Sequence, residues 1–541
     1  MLNAGVGFDA REERIPESRS GSASAMRELF LPLDRLLVCG GDPRLNIDPA
    51  SGVNTYGCRP LPCPGTLSFA SSTATSISQP AYDRAGKARE ELMRSAIAVG
   101  IDAAFDARIE AMRDELKAHL GLSRTKADVV FSPSGTDSQL QALLLARVLL
   151  GPVLTTIVVA ADQTGSGTAD TARGHHFSTA TANGNSVRKG EPIAGLAPSV
   201  ASVALALFDA AGVFRPQAES DSLVLSAVEK SVADGSDVIL QIMDSSKFGW
   251  RAPSDKCLDE ISMRWPDQVQ VVVDACQMRL GRVRLQKYLD RGYLVIVTGS
   301  KFFTGPPFSG ALLVPERLSK ALDGVTEVAS GLSEYSSRSD WPKHWQNLRS
   351  RFPVRTNFGQ WLRWEAALEE IGAYYRVPDE FRQMVLTTFA NGVQRIIASS
   401  PSLRPLRPQQ RFENGSLDDE ELSQPTIFPF TIRHDARTLS LDDCRKIYRA
   451  LSEDLANGGP EHGCDPEVAA RICLVGQPVA LGHDGQHRIA ALRISAGARL
   501  VSETGSSTED TARANLQREL GHVGTIVAKI EWLLGHIDDL P

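Results

Sequence analysis

Two apolar runs set close together constrain this chain more than anything else in it. VVVD begins at Val271 and YLVIVTGSK begins at Tyr293, and each run gives way to an ionisable residue, Asp274 and Lys301. Valine-, isoleucine- and leucine-rich runs of this length, with a helical stretch between them, read as buried strands of one parallel sheet. A carboxylate and an amine at the ends of such strands are costly to desolvate unless each has a partner or a task. GPPFSGALLVP then supplies a turn and a further apolar strand.

The same alternation extends upstream. From about Ala127, DVVFSPSG, TIVVAADQ, SVALALFD and VILQIMDSS precede VQVVVDAC, YLVIVTGS and GALLVP, with helical stretches between them. This predicts an α/β domain with a mainly parallel sheet covered on both faces and its site at the carboxyl ends of the strands. Before it, Leu29 to Ser78 is rich in Pro, Gly and Cys and reads as irregular, and one helix is predicted from about Ala81 to Gly121. After residue 335 a Trp- and Arg-rich region leads into a long helix. PTIFPFTI, ARICLVGQPVAL and IAALRISAG are the expected strands of a smaller α+β domain, closed by the amphipathic helix QRELGHVGTIVAKIEWLLGHI. The expected division is an N-terminal extension over 1–100, a large domain over 101–335 and a small domain over 336–541.

Composition removes several function classes. A net charge of −7 gives no reason to expect nucleic acid or an anionic membrane as partner. No run approaches the roughly 18 apolar residues that span a bilayer, and the first residues mix acids with bases, unlike a signal peptide. Eight cysteines in 541 residues are too sparse for a disulfide framework, so reduced thiols and a cytoplasmic location are expected. His175 and His176 are adjacent and point apart on regular elements, so no metal site is expected. QTGSGTADTARG lacks the spacing and strand context of a dinucleotide fingerprint.

PSGTDSQ lies between a strand and a helix, where free N–H groups and the hydroxyls of Ser134 and Thr136, around Gly135, make a phosphate cradle. Taken alone, simple helix capping explains it as well. Joined to Asp274 and Lys301 it matches the needs of pyridoxal 5′-phosphate (PLP). The lysine holds the cofactor as a Schiff base, and the carboxylate keeps the pyridine nitrogen protonated.

On these residues the chain resembles the fold-type-I PLP enzymes, the aspartate-aminotransferase-like fold, and within them the class V aminotransferase and cysteine desulfurase group. That group's Asp-Gly-Ala-Gln is matched by Asp274-Ala275-Cys276-Gln277, and its hydroxyl three residues before the lysine by Thr298. The histidine often found directly before the lysine is replaced by Ser300, while the group's Arg-x-Ser strand is matched by Arg493-Ile494-Ser495. The resemblance implies that Asp274 meets the ring nitrogen, Gln277 the ring hydroxyl, Thr298 and Ser300 the phosphate, and Arg493 the substrate carboxylate. It further implies Gln163 and Thr164 at the ring face, Ser246 near the ring hydroxyl, and Thr356 and Asn357 reaching a phosphate across a homodimer interface. It covers about residues 125 to 315, and 340 to 500 more loosely.

The expected activity is transamination of an amino acid, with Lys301 as general base. The alternative is a PLP-dependent lyase, or a carbon–carbon bond-forming or replacement enzyme acting at Cβ or Cγ. A desulfurase-like C–S lyase would need a nucleophilic cysteine, for which Cys464 in GGPEHGCDPE is the candidate, although Asp465 and Glu467 beside it disfavour a thiolate. Asn54, Tyr56 and SSTATS (71–76) suggest that the N-terminal region adds to the substrate pocket.

Overall fold

The strongest apolar runs form a single large sheet. After a short strand β1 (Leu67–Phe69) come β2 (Ala127–Ser132), β3 (Leu154–Val159), β4 (Val200–Leu205), β5 (Asp237–Met243), β6 (Val269–Asp274), β7 (Leu294–Thr298) and β8 (Gly310–Pro315). The computed structural model describes residues 22–123, 127–196, 200–325, 327–406, 422–435, 437–456, 465–485, 487–505 and 509–540. The seven strands lie in the order β2-β8-β7-β6-β5-β3-β4. Only β8 runs antiparallel to its neighbours, pairing Val129 with Leu313 on one side and Val295 with Leu313 on the other. β3 and β7 are buried along their whole length, as strands covered on both faces must be.

A second sheet follows from β9 (Leu403–Pro405), β10 (Ile427–His434), β11 (Arg437–Thr438), β12 (Cys473–Asp484) and β13 (His487–Ser495). Its order is β1-β12-β13-β10-β11, with β9 also on β10. β1 pairs in parallel with the start of β12, Leu67 opposite Cys473, so part of the N-terminal segment belongs to the C-terminal sheet. Buried arginines fasten that segment elsewhere. Arg363 donates to the carbonyls of Leu37, Cys39 and Gly40, and Arg279 donates to Ser71 Oγ and the carbonyl of Ala496.

The one helix predicted from Ala81 to Gly121 is two, Gln79–Val99 and Ile101–His119. Gly100 separates them at φ 83°, a conformation that only glycine adopts without strain. Trp341, Trp345, Trp361 and Trp364 are all fully buried within the chain, so the Trp-rich region is core. Among the described residues no helix is long and apolar enough to cross a membrane.

Candidate active site

The strands of the large sheet deliver their carboxyl ends to a cavity of ≈ 260 Å³ between the two sheets. Lys301 and Asp274 both line it, with Ser134, Gly135, Thr136, Gln163, Thr164, Gln277, Thr298 and Ser300. Arg493 of β13 and Gln477 of β12 form the opposite wall, and Arg44, Tyr56 and Ser72–Ala74 of the N-terminal segment close the side.

Lys301 sits in a loop held by its own backbone. Gly299 N–H donates to the Ser309 carbonyl at 2.9 Å, and Gly305 N–H to the Gly299 carbonyl at 2.9 Å. A Cβ on Gly299 would lie 2.5 Å from Ala367 Cβ, so this loop is pressed against the helix Phe358–Arg376. Thr304 and Phe308, neither glycine, adopt φ 59° and 69° in the same loop. Such strain persists only where the surroundings enforce it, and it gathers at functional sites.

Asp274 ends β6, where its Oδ1 accepts the Cys276 N–H at 3.1 Å. Thr298 Oγ1 donates to the Cys276 carbonyl at 2.7 Å, tying β7 to the turn after Asp274. The Gln277 amide is engaged by protein, since Nε2 donates to the Ser72 carbonyl at 3.0 Å and Oε1 accepts from Arg279 Nε at 3.4 Å. Burial and the Asp274 charge hold the Cys276 thiol well above its ordinary range, which suits an inert packing thiol.

Ser134 caps the helix Gly135–Leu150, its Oγ accepting the Asp137 N–H at 3.3 Å and donating to Asp137 Oδ2 at 2.5 Å. The capping alternative therefore holds for this side chain, while Gly135 and Thr136 at the start of the same helix line the cavity. A Cβ on Gly135 would lie 2.5 Å from Cys276 Sγ, so only glycine fits there. Gln163 is buried with its Oε1 lacking a hydrogen-bond partner among the described residues.

Arg493 is 2 % exposed, and burial pulls its guanidinium down to about 10. It donates to the Lys247 carbonyl at 3.2 Å, to Thr73 Oγ1 at 3.1 Å and to the Gln477 carbonyl at 2.7 Å, and its Nε has no acceptor among the described residues. Among the described residues no carboxylate pairs with it. A buried guanidinium held by neutral groups alone is poised for an anion.

Four of the expected site residues are not on the cavity wall. Ser246 Oγ accepts the N–H groups of Phe248 and Trp250 and fixes a turn, while its neighbours Ser245 and Lys247 line the cavity. Asn357 is the N-cap of Phe358–Arg376, with Oδ1 accepting the Gln360 N–H and Nδ2 donating to the Gly40 carbonyl. Thr356 precedes it, also off the wall. Asn54 Oδ1 accepts the N–H groups of Tyr56 and Cys58, holding the turn that presents Tyr56. Cys464 lies outside the described residues. No cluster of side chains able to hold a metal ion occurs among those described.

Lys247, Arg44, Ser245 and Gln477 also line the cavity without having been expected there, while Thr73 belongs to the expected SSTATS segment. Ser245 stands in the apolar segment VILQIMDSS, and Lys247 follows it directly. Arg44 had no such signal, coming from irregular chain. It pairs with Asp42 at 2.5 Å and lies over the Phe308 ring at 4.9 Å.

No family model matches the chain, and no curated protein matches it either. Solved structures similar to it include Catharanthus roseus tryptophan decarboxylase in complex with L-tryptophan. That match has 15 % identity over 96 % of this chain and 92 % of the other, with a TM-score of 0.48. The Escherichia coli cysteine desulfurase CsdA matches at 16 % identity over 84 % and 95 %, TM-score 0.43. The cystine C–S lyase C-DES matches at 13 % identity over 84 % and 98 %, TM-score 0.48. Likeness at this level assigns neither an activity nor a substrate to the chain.

Proposed function

We propose that the cavity is the active site of a PLP-dependent enzyme acting on an amino acid, with transamination as its reaction. The observation that carries this reading is the shared cavity of Lys301, Asp274 and the carboxylate-free Arg493. The donor set fits the cofactor. One amine, one strand-end carboxylate and a helix N-terminus flanked by hydroxyls match an aldehyde, a pyridine nitrogen and a phosphate. When bound, PLP supplies an electrophilic carbon for amines and a ring that withdraws electrons from the substrate's α-carbon.

The chain's residues then have distinct tasks. The Gly135–Leu150 N-terminus, with Thr136, Thr298 and Ser300, would hold the phosphate. Asp274 would keep a proton on the pyridine nitrogen. Arg493 clamps the substrate carboxylate and so orients the α-carbon. Lys301 would hold the cofactor's aldehyde carbon and, as a free amine, would act as the base that takes the substrate's α-proton. Burial of the Arg493 guanidinium strengthens its pull on an anion. A homodimer belongs to the same reading, and sedimentation of the purified protein tests it.

Single-turnover chemistry separates this from the lyase or replacement alternative. With an amino acid and no keto acid present, amino transfer yields one keto acid per enzyme and retains the nitrogen on the protein. Release of ammonia or of a side-chain fragment on every turnover would instead establish elimination.

A further inference from the structure

The residues lining the cavity include four cations, Arg44, Lys247, Lys301 and Arg493, against one carboxylate, Asp274. On the reading above, three of the four are accounted for. Asp42 neutralises Arg44, Lys301 carries the cofactor, and Arg493 takes the α-carboxylate. Lys247 remains. It follows β5 at the substrate end of the cavity, and its own carbonyl accepts from Arg493 Nη1 at 3.2 Å, so the two residues adjoin. No ion pair holds its amine among the described residues. The charged groups that face it are Arg493, Lys301, Asp162 and Asp274. Asp162 is already engaged by the N–H groups of Leu207 and Phe208 at 2.8 and 3.3 Å. Burial first, then repulsion from Arg493 and Lys301, pulls the Lys247 amine down to about 8.

A cation placed among cations and left without a carboxylate is unfavourable until an anion arrives. The phosphate cradle is formed separately, at the Gly135–Leu150 terminus, so the cofactor's phosphate is not that anion. We infer that Lys247 receives the second acid group of the substrate, making this an enzyme for amino acids with two acidic groups. This rests on the proposed PLP site, and the test below separates the two.

Calorimetric titration of the purified protein at pH 7 with succinate, glutarate and butyrate reads the second-anion site directly. Wild-type protein is expected to bind a diacid about tenfold or more tightly than butyrate, the worth of one charge-assisted hydrogen bond. Lys247→Met should erase that preference while leaving butyrate binding unchanged, which also shows that the variant is folded. Lys247→Arg should retain it. The preference should fade as pH rises through about 8 and the amine loses its charge. Equal binding of diacids and butyrate by the wild type, or equal weakening of both by Lys247→Met, would overturn the inference. A Lys247-dependent preference in a protein whose purified form lacks any visible cofactor band would support this site while removing the PLP reading.

Discussion

Asp137 stands in the first turn of Gly135–Leu150, beside the proposed phosphate cradle, where a second negative charge is unwelcome. Burial first, then the Asp42 charge, pushes its carboxyl up to about 7. An unfolded chain releases that proton near pH 4. Between about pH 4 and pH 7 the folded state therefore holds the extra proton. The stabilisation is complete below pH 4, is lost as pH rises through that window, and changes no further above it. Asp137→Asn should leave the melting temperature unchanged at pH 4 and raise it at pH 8, where the free-energy gain is at most roughly 4 kcal/mol. An equal shift at both pH values would show that ionisation is not the cause. Arg493 makes the complementary case, because one ammonium cannot replace three directed donors together with the remaining N–H groups on Nε and Nη1. Arg493→Lys should raise KM for the amino acid by roughly tenfold or more, and an unchanged KM would remove Arg493 from substrate binding.

At the scale of elements, the position of Arg493 depends on β12. A Cβ added to Gly476 would lie 2.8 Å from Arg493 Nε and 2.7 Å from Ser72 Oγ. Gly476→Ala should therefore push the guanidinium aside and raise KM without removing the visible cofactor band, measured by steady-state kinetics beside an absorbance scan. Loss of the band instead would mean that the whole cavity had rearranged. Most strands of the large sheet were legible in sequence because strands buried on both faces must be nearly all apolar, as Leu294–Thr298 is; the edge strand Val200–Leu205, largely exposed, was legible from its alternation with helices instead. Lys301 and Asp274 were legible because a strand end has a fixed place in such a sheet, whereas Thr298 and Arg493, the latter inside β13 of the second sheet, were legible only through the family resemblance. Loop residues were not. Ser246 was expected at the wall, but loops lack a repeating period, and Ser245 and Lys247 face the cavity instead. Asn357 was expected to reach a phosphate across an interface, but it directly precedes an apolar helix and caps it. β1 was hidden because a three-residue strand is decided by its partner, here the start of β12.

Across the whole molecule, the N-terminal segment is part of the fold. It supplies the edge strand β1, the wall Ser72–Ala74 and carbonyl acceptors for the buried Arg363. Removing residues 1–78 would leave that guanidinium without these partners, a loss of about 3–5 kcal/mol on its own. The truncated chain should fail to give a cooperative melting transition in calorimetry, and one within a few degrees of the full chain would refute this.

The central claim is that Lys301 carries PLP in the cavity it shares with Asp274 and Arg493. Borohydride reduction of the purified protein, followed by peptide mapping in a mass spectrometer, tests it most directly. The account predicts a pyridoxyl phosphate adduct on the peptide containing Lys301 and none in Lys301→Ala. An unmodified Lys301 peptide from the wild type, or an adduct on Lys247 instead, would contradict it.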